Sequence, residues 1–216
     1  MLITGAAQDE ARIKGLRLGF DLTRTALQYL EPKREAFEIS ADFELKQNFY
    51  LTAEFGQQAI NWEFNTYDYS SVGKYLRLGI DNNFSKNKKD INAYEMVFGG
   101  LRYGFSNYSH RASNMVIPIN YWGTEIPNSI QEMQMSAHWV EVVAGIRGEL
   151  FKNFFMGWSF HAKLMLWQKK DPLMYTYNIP GYGRGNKKSQ LGFNYSLYYR
   201  IPLYKVKKDD GAVKEP

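Results

Sequence analysis

Eight segments of this chain alternate apolar and polar residues with a period of two, and that repetition leaves few folds open. A period of two puts all the apolar side chains of a β-strand on one face. The last segment is the clearest: Leu191, Phe193, Tyr195, Leu197, Tyr199 and Ile201 alternate with Gly192, Asn194, Ser196, Tyr198 and Arg200. Before it, Phe154, Met156, Trp158, Phe160, Ala162, Leu164 and Leu166 oppose Gly157, Ser159, His161 and Lys163. Val140, Val142, Ala144, Ile146 and Leu150 likewise oppose Glu141, Gly145, Arg147 and Glu149. Shorter runs fall at Leu16 to Leu22, Phe37 to Leu45, Phe49 to Phe55 and Leu76 to Ile80. A fifth run, about residues 93–105, changes phase near Gly99-Gly100, as a β-bulge would make it do.

The connections alternate too. Three are short: Lys46-Gln47-Asn48, Ser85 to Asp90, and Lys152-Asn153. The others are long, about residues 24–35, 57–72, 106–136 and 168–189. Strict alternation of short and long links predicts antiparallel neighbours in an up-and-down barrel, with short periplasmic turns and long extracellular loops. The expected organisation is an N-terminal extension at 1–12, a single barrel over 13–204 and a flexible charged tail at 205–216. Residues 1–8 can be read as the trimmed end of a signal peptide, with Gly5, Ala6 and Ala7 near the old cleavage site.

Alternation alone does not say which face looks inward. No apolar run approaches the 18 residues of a membrane helix, so a barrel is the remaining way to span lipid. Two patterns favour an apolar exterior. Arg17, Arg77, Arg102, Arg147 and Arg200 all fall mid-strand on the polar face, whereas most lysines fall in connections and the tail. Arginine's planar fork suits dense pairing with carboxylates in an enclosed space. Gly19, Gly79, Gly104, Gly145, Gly157 and Gly192 share that face, and glycine makes room inside a narrow barrel. The expected fold is therefore an all-β, eight-stranded antiparallel transmembrane barrel with a polar lumen filled by side chains.

The lumen network expected from the register is Arg17, Asp21, Glu54, Arg77, Asp81, Arg102, Glu141, Arg147, Glu149, Lys163 and Arg200. Within it, Ser159 and His161 lie two apart and face one side, with Glu141 or Glu149 on the neighbouring strand to orient the imidazole. That is the pattern of an acyl-hydrolase nucleophile and base, although the register aims both into a crowded interior. The long connections carry Trp62, Tyr67, Tyr69, Tyr121, Trp122, Tyr175, Tyr177 and Tyr182, expected as an extracellular interaction surface or as strand continuations above the membrane.

With no cysteine and no spaced His/Asp cluster, neither a metal site nor a cofactor is expected. The formal net charge is +5, but the cations form two separated rims. Lys33, Arg34, Arg111, Lys169, Lys170, Arg184, Lys187 and Lys188 lie on the long-loop side, where lipopolysaccharide phosphates would be within reach. Lys86, Lys88, Lys89, Lys205, Lys207 and Lys208 lie on the other. Two rims are not the single basic patch with stacking aromatics that nucleic acid requires.

The Leu16-Arg17-Leu18-Gly19-Phe20-Asp21 strand and the turns at Lys46 to Tyr50 and Lys152 to Phe155 resemble the small outer-membrane barrel proteins of Bacteroidota, many known only as domains of unknown function. The resemblance covers about residues 13–204 and implies location and fold, without catalytic residues. The chain departs from many such proteins in ending on a charged tail rather than a strand aromatic. The expectation is a non-enzymatic barrel in the outer membrane of a Gram-negative bacterium, structural or accessory to an envelope protein partner. The alternatives are a lipid-modifying acyl hydrolase or transferase, and a soluble lipocalin-like binder of apolar ligands.

Overall fold

The alternating segments form long strands. A computed structural model describes residues 11–85, 94–115 and 129–207. In chain order the elements are β1 (Ala11–Asp21), α1 (Leu22–Leu30), β2 (Arg34–Lys46), β3 (Phe49–Glu63), β4 (Asp68–Asn83), β5 (Met96–Ser113), β6 (Ile130–Phe151) and β7 (Phe154–Gln168). The short β8 (Asn178–Ile179) and β9 (Gly183–Arg184) precede the long β10 (Ser189–Lys207). The eight long strands close a ring in the order β1-β10-β7-β6-β5-β4-β3-β2, every pairing antiparallel. This is the eight-stranded up-and-down barrel expected from the periodicity. β1 and β10 pair from Ala11↔Lys207 onward, so the ring runs slightly past residues 13–204 at both ends.

Two short turns explain the sequence echo between Lys46 to Tyr50 and Lys152 to Phe155. Asn48 and Asn153 adopt φ of 66° and 65°, left-handed conformations that asparagine tolerates better than most residues. Each donates its backbone N–H to a glutamate four residues earlier, Asn48 to Glu44 at 3.2 Å and Asn153 to Glu149 at 2.7 Å. Glu149 is thus an exposed residue at the rim of β6, bound to the turn and not part of the lumen network.

The bulge expected at Gly99-Gly100 does not form, because β5 pairs continuously through both glycines with β4 and β6. The apparent phase change arises because Met96 and Phe98 point inward, where they pack with Tyr50 and Val143. Two of the expected long connections, 57–72 and 106–136, are also strand over much of their length. β3 and β4 pair up to Glu63↔Asp68, and β5 with β6 up to Ala112↔Ile130. Ladders of this height exceed the 9–11 residues a tilted membrane strand needs.

The wall is uneven. β1 stops at Asp21, so residues 34–38 of β2 and 189–195 of β10 lack a partner on the side that β1 would have filled. Helix α1 fills this breach. Asp21 caps it, accepting from Thr23 N at 2.7 Å and Arg24 N at 3.4 Å. Thr23 Oγ1 accepts from Tyr195 N on β10 at 2.7 Å, and Gln28 Nε2 donates to Ala36 O on β2 at 2.7 Å. One helix therefore satisfies backbone groups on both exposed edges.

Candidate functional site

Period-two alternation sends charges inward, and closure of the ring brings them together. At the short-turn end, Arg200 lies over the Tyr94 ring at 3.4 Å and donates to Ile13 O and, at 3.3 Å, to Asn153 Oδ1. Above it, Asp42 is clamped between Arg17 and Arg147, at 2.8 Å from each. Arg147 also lies 3.9 Å from the centre of the Tyr198 ring. Arg102 grips Asp81 through two bonds of 2.6 and 2.8 Å and reaches Glu54 at 3.4 Å. Arg77, fully buried, pairs with Glu38, with Glu54 at 2.7 Å and with Glu141 at 3.5 Å. Removing charges from water is costly unless they are paired; here Asp42 on β2 joins Arg17 on β1 to Arg147 on β6, and Arg77 on β4 reaches carboxylates on β2, β3 and β6.

Arg24 is the lumen cation that period-two reading passed over. It projects from α1 to Glu38 at 3.5 Å and Asp21 at 3.7 Å. The available signal was Asp21 as a helix cap, followed by Leu22, Ala26, Leu27 and Leu30 at helical spacing.

Ser159, His161 and Glu141 do come together. Ser159 Oγ lies 3.0 Å from His161 Nε2, and His161 Nδ1 lies 2.7 Å from Glu141 Oε2. Their relative exposures are 8%, 2% and 1%. Glu141 has further duties, accepting from Trp139 Nε1 at 2.6 Å and facing Lys163 Nζ at 3.9 Å.

The 169–188 connection, which holds β8 and β9, folds into the barrel mouth instead of standing above it. Ile179 and Tyr182 are buried against Tyr75, Tyr108, Met135, Ala137 and Trp139. Lys163 Nζ holds the insert from below, donating to Gly181 O at 2.5 Å. Gly181, with φ of 78°, lies so close to the Tyr75 ring that a Cβ there would meet it at 2.4 Å. The aromatic residues expected as an outer surface mostly line this insert. Tyr69 and Tyr182 are buried, Trp62, Tyr67 and Tyr177 half-buried, and Tyr175 fully exposed. Trp62 and Tyr177 pack edge to face at 4.8 Å. They turn inward because a closed mouth gives their rings apolar contacts that water does not. Tyr121, Trp122 and the lysines 86, 88, 89 and 208 lie outside the described residues.

Between α1, β2, β7, β10 and the insert lies a polar cavity of about 400 Å³, at the breach in the wall. Its cations include Arg24, Arg34, Lys163 and Arg184, against the single carboxylate of Glu31. It is lined by Gly192 and Asn194, which pair across to His161 and Ser159 on β7.

The exterior is the inverse of the lumen. Leu18, Phe20, Ile39, Leu51, Leu76, Leu78, Leu101, Val142, Trp158, Phe160, Leu191 and Phe193 are between 40% and 87% exposed, and form one apolar surface around the ring. Water-soluble proteins rarely expose more than a few hundred Å² of contiguous apolar surface. Among the described residues, no helix is long and apolar enough to cross a membrane and no cluster of His, Asp and Glu could hold a metal ion.

Among solved structures, the chain is similar to Ail, the attachment invasion locus protein of Yersinia pestis. They share 13% identity over 87% of this chain and 97% of that one, with a TM-score of 0.43. It is also similar to CarO2 of Acinetobacter baumannii (12% identity, 89% and 100% covered, TM-score 0.41). CarO of the same organism gives 10% identity, 88% and 98% covered, and a TM-score of 0.39. No curated protein matches the sequence. A family model described as a domain of unknown function, DUF6048, matches residues 5–206, and the chain belongs to that family.

Proposed function

We propose that this protein is a non-enzymatic barrel of the Gram-negative outer membrane, plugged by its own side chains, that serves as a structural or accessory subunit of an envelope complex. The carrying observation is the inversion of polarity: a ring of exposed leucine, valine, isoleucine and aromatic side chains encloses buried Arg17, Arg77, Arg102 and Arg147 with their carboxylates. Lipid is the solvent that such an exterior fits, and the short turns then face the periplasm. An eight-stranded ring has an interior just wide enough for side chains, and this one adds an inserted loop. A barrel blocked along its axis acts through its lipid face and its two ends, which favours a partner-binding role over transport.

The test is gel mobility with and without boiling on protein from an outer-membrane fraction, followed by reconstitution in planar bilayers. A compact unboiled band and negligible conductance are expected. Soluble recovery without a heat shift, or steady channels of one size, would overturn the proposal. Crosslinking before mild detergent extraction tests the subunit role: recovery of a defined envelope protein supports it, and recovery of this chain alone counts against it.

A second reading, an acyl hydrolase, draws on the hydrogen-bonded Ser159–His161–Glu141 chain. The structural reading is preferred because Glu141 is also the acceptor for Trp139 and the counter-charge of Arg77 and Lys163, a hub that ties β4, β6 and β7 together. Covalent labelling of Ser159 by a fluorophosphonate, lost in Ser159→Ala, would reverse that preference.

A further inference from the structure

We propose that the cavity at the breach between β2 and β10 is a binding site for a phosphorylated sugar, presented from the side as the headgroup of an outer-leaflet glycolipid. The choice of a lipid-borne source rests on the membrane reading above; the sugar phosphate itself does not.

Three observations point to an acceptor-rich anion. The first is charge: Arg24, Arg34, Lys163 and Arg184 line the cavity against Glu31 alone. Arg34 is neutralised by Glu31 at 2.8 Å, and Arg24 shares Asp21 and Glu38 at 3.5 Å or more. Arg184 is exposed and makes no ion pair among the described residues. The second is unsatisfied donors. Asn178 is 4% exposed, yet its Nδ2 has no hydrogen-bond partner in the protein, and the Nε2 of Gln190 has none either. Both residues line the cavity. A buried donor left unpaired is costly, and rotation of either amide toward the cavity would give it a phosphate or hydroxyl oxygen as partner. The third is the wall: the half-buried Trp62 and Tyr177 line the same cavity with aromatic surface of the kind that packs against a sugar ring. Its volume of about 400 Å³ falls within the range of small-molecule sites.

The breach supplies the direction of entry. Because β1 ends at Asp21, the edges of β2 and β10 are bridged there by a helix rather than a strand. Leu191 and Phe193, which belong to the outward apolar face and are 87% and 45% exposed, also border the cavity. A polar pocket with an apolar sill matches an amphiphile whose headgroup enters while its acyl chains remain in lipid.

The experiment uses purified, detergent-folded protein with glucose 1-phosphate, glucose, inorganic phosphate and micellar lipid A as probes in titration calorimetry. Glucose 1-phosphate is expected to bind at one site, inorganic phosphate at least tenfold more weakly, and glucose not detectably. Arg184→Ala and Gln190→Leu, both at partly exposed positions outside the lumen network, are expected to weaken binding about tenfold each, the effect of losing one charge-assisted or buried hydrogen bond. Absence of binding at millimolar glucose 1-phosphate, or binding unchanged by both substitutions, would overturn the site. Phosphate binding as tight as the sugar phosphate would remove the role of the aromatic wall. Lipid A that binds more tightly and is competed by glucose 1-phosphate supports lateral entry; glucose 1-phosphate binding without lipid A binding overturns it in favour of a free sugar phosphate. The heat shift of the same preparation separates the two failures. A heat-modifiable sample that binds nothing counts against the site alone, and a sample without the shift counts against the membrane reading.

Discussion

Thr23 Oγ1, on the helix, accepts the backbone N–H of Tyr195 at 2.7 Å, so a side chain does there what the missing continuation of β1 would have done. Thr23→Val keeps the shape and removes the acceptor. The expected cost is about 1 kcal/mol, read as a lower urea midpoint in detergent or vesicles. Thr23→Ser, which restores the hydroxyl, is expected to return most of it. Equal midpoints for the valine and serine variants would show that the bridge contributes nothing.

Arg77 is the centre of the lumen network, facing Glu38, Glu54 and Glu141 with no exposure to solvent. Arg77→Met leaves three carboxylates without their shared cation. A loss of about 3–5 kcal/mol is expected, enough to abolish the compact unboiled band or move it to much lower temperature. Arg111→Ala, on the exposed rim, is the control, with a change within about 0.5 kcal/mol.

Gly104 faces the Trp139 indole so closely that a Cβ would fall 2.1 Å from Cε2. Gly104→Ala must push the indole off Glu141, to which its Nε1 donates at 2.6 Å. A destabilisation of about 1–3 kcal/mol is expected, with a changed near-ultraviolet dichroism signal as the direct readout. A native signal in a fully folded variant would show that the lumen has slack there.

Asn153 holds the β6–β7 turn at φ of 65°. Asn153→Ala and Asn153→Gly both lose the bond from Arg200 to Oδ1, but alanine is expected to cost about 1–2 kcal/mol more than glycine, the penalty for a Cβ in the left-handed region. Comparing the pair by urea titration checks this, and the reverse ranking would rule out backbone conformation as the reason for the asparagine.

The strands and their facing were legible because both are local. Alternation of Leu76, Leu78 and Ile80 with Arg77 and Gly79 follows from the pleat of one strand and needs no partner to be read. The inward arginines and glycines gave the polarity, and Ser159, His161 and Glu141 were legible as neighbours because adjacent strands carry them. Glu149 was misplaced because alternation does not say where the lumen ends: it sits at the rim and accepts from Asn153 N in the turn. The bulge expected at Gly99-Gly100 was a sign of apolar residues facing into the lumen, where Met96 and Phe98 find Tyr50 and Val143.

By itself, then, the sequence determined the number of long strands, their order and which residues share a face, since each depends on residues a few positions apart. Only the tertiary structure decided that the wall is breached beside a helix, that the last long connection turns inward as a plug, and that Asn178, Arg24 and Arg184 line one cavity. Ring closure is the physical reason: it sets Arg147 against Asp42 and Asn194 against Glu38, pairs 105 and 156 residues apart, and no local pattern carries information across that distance.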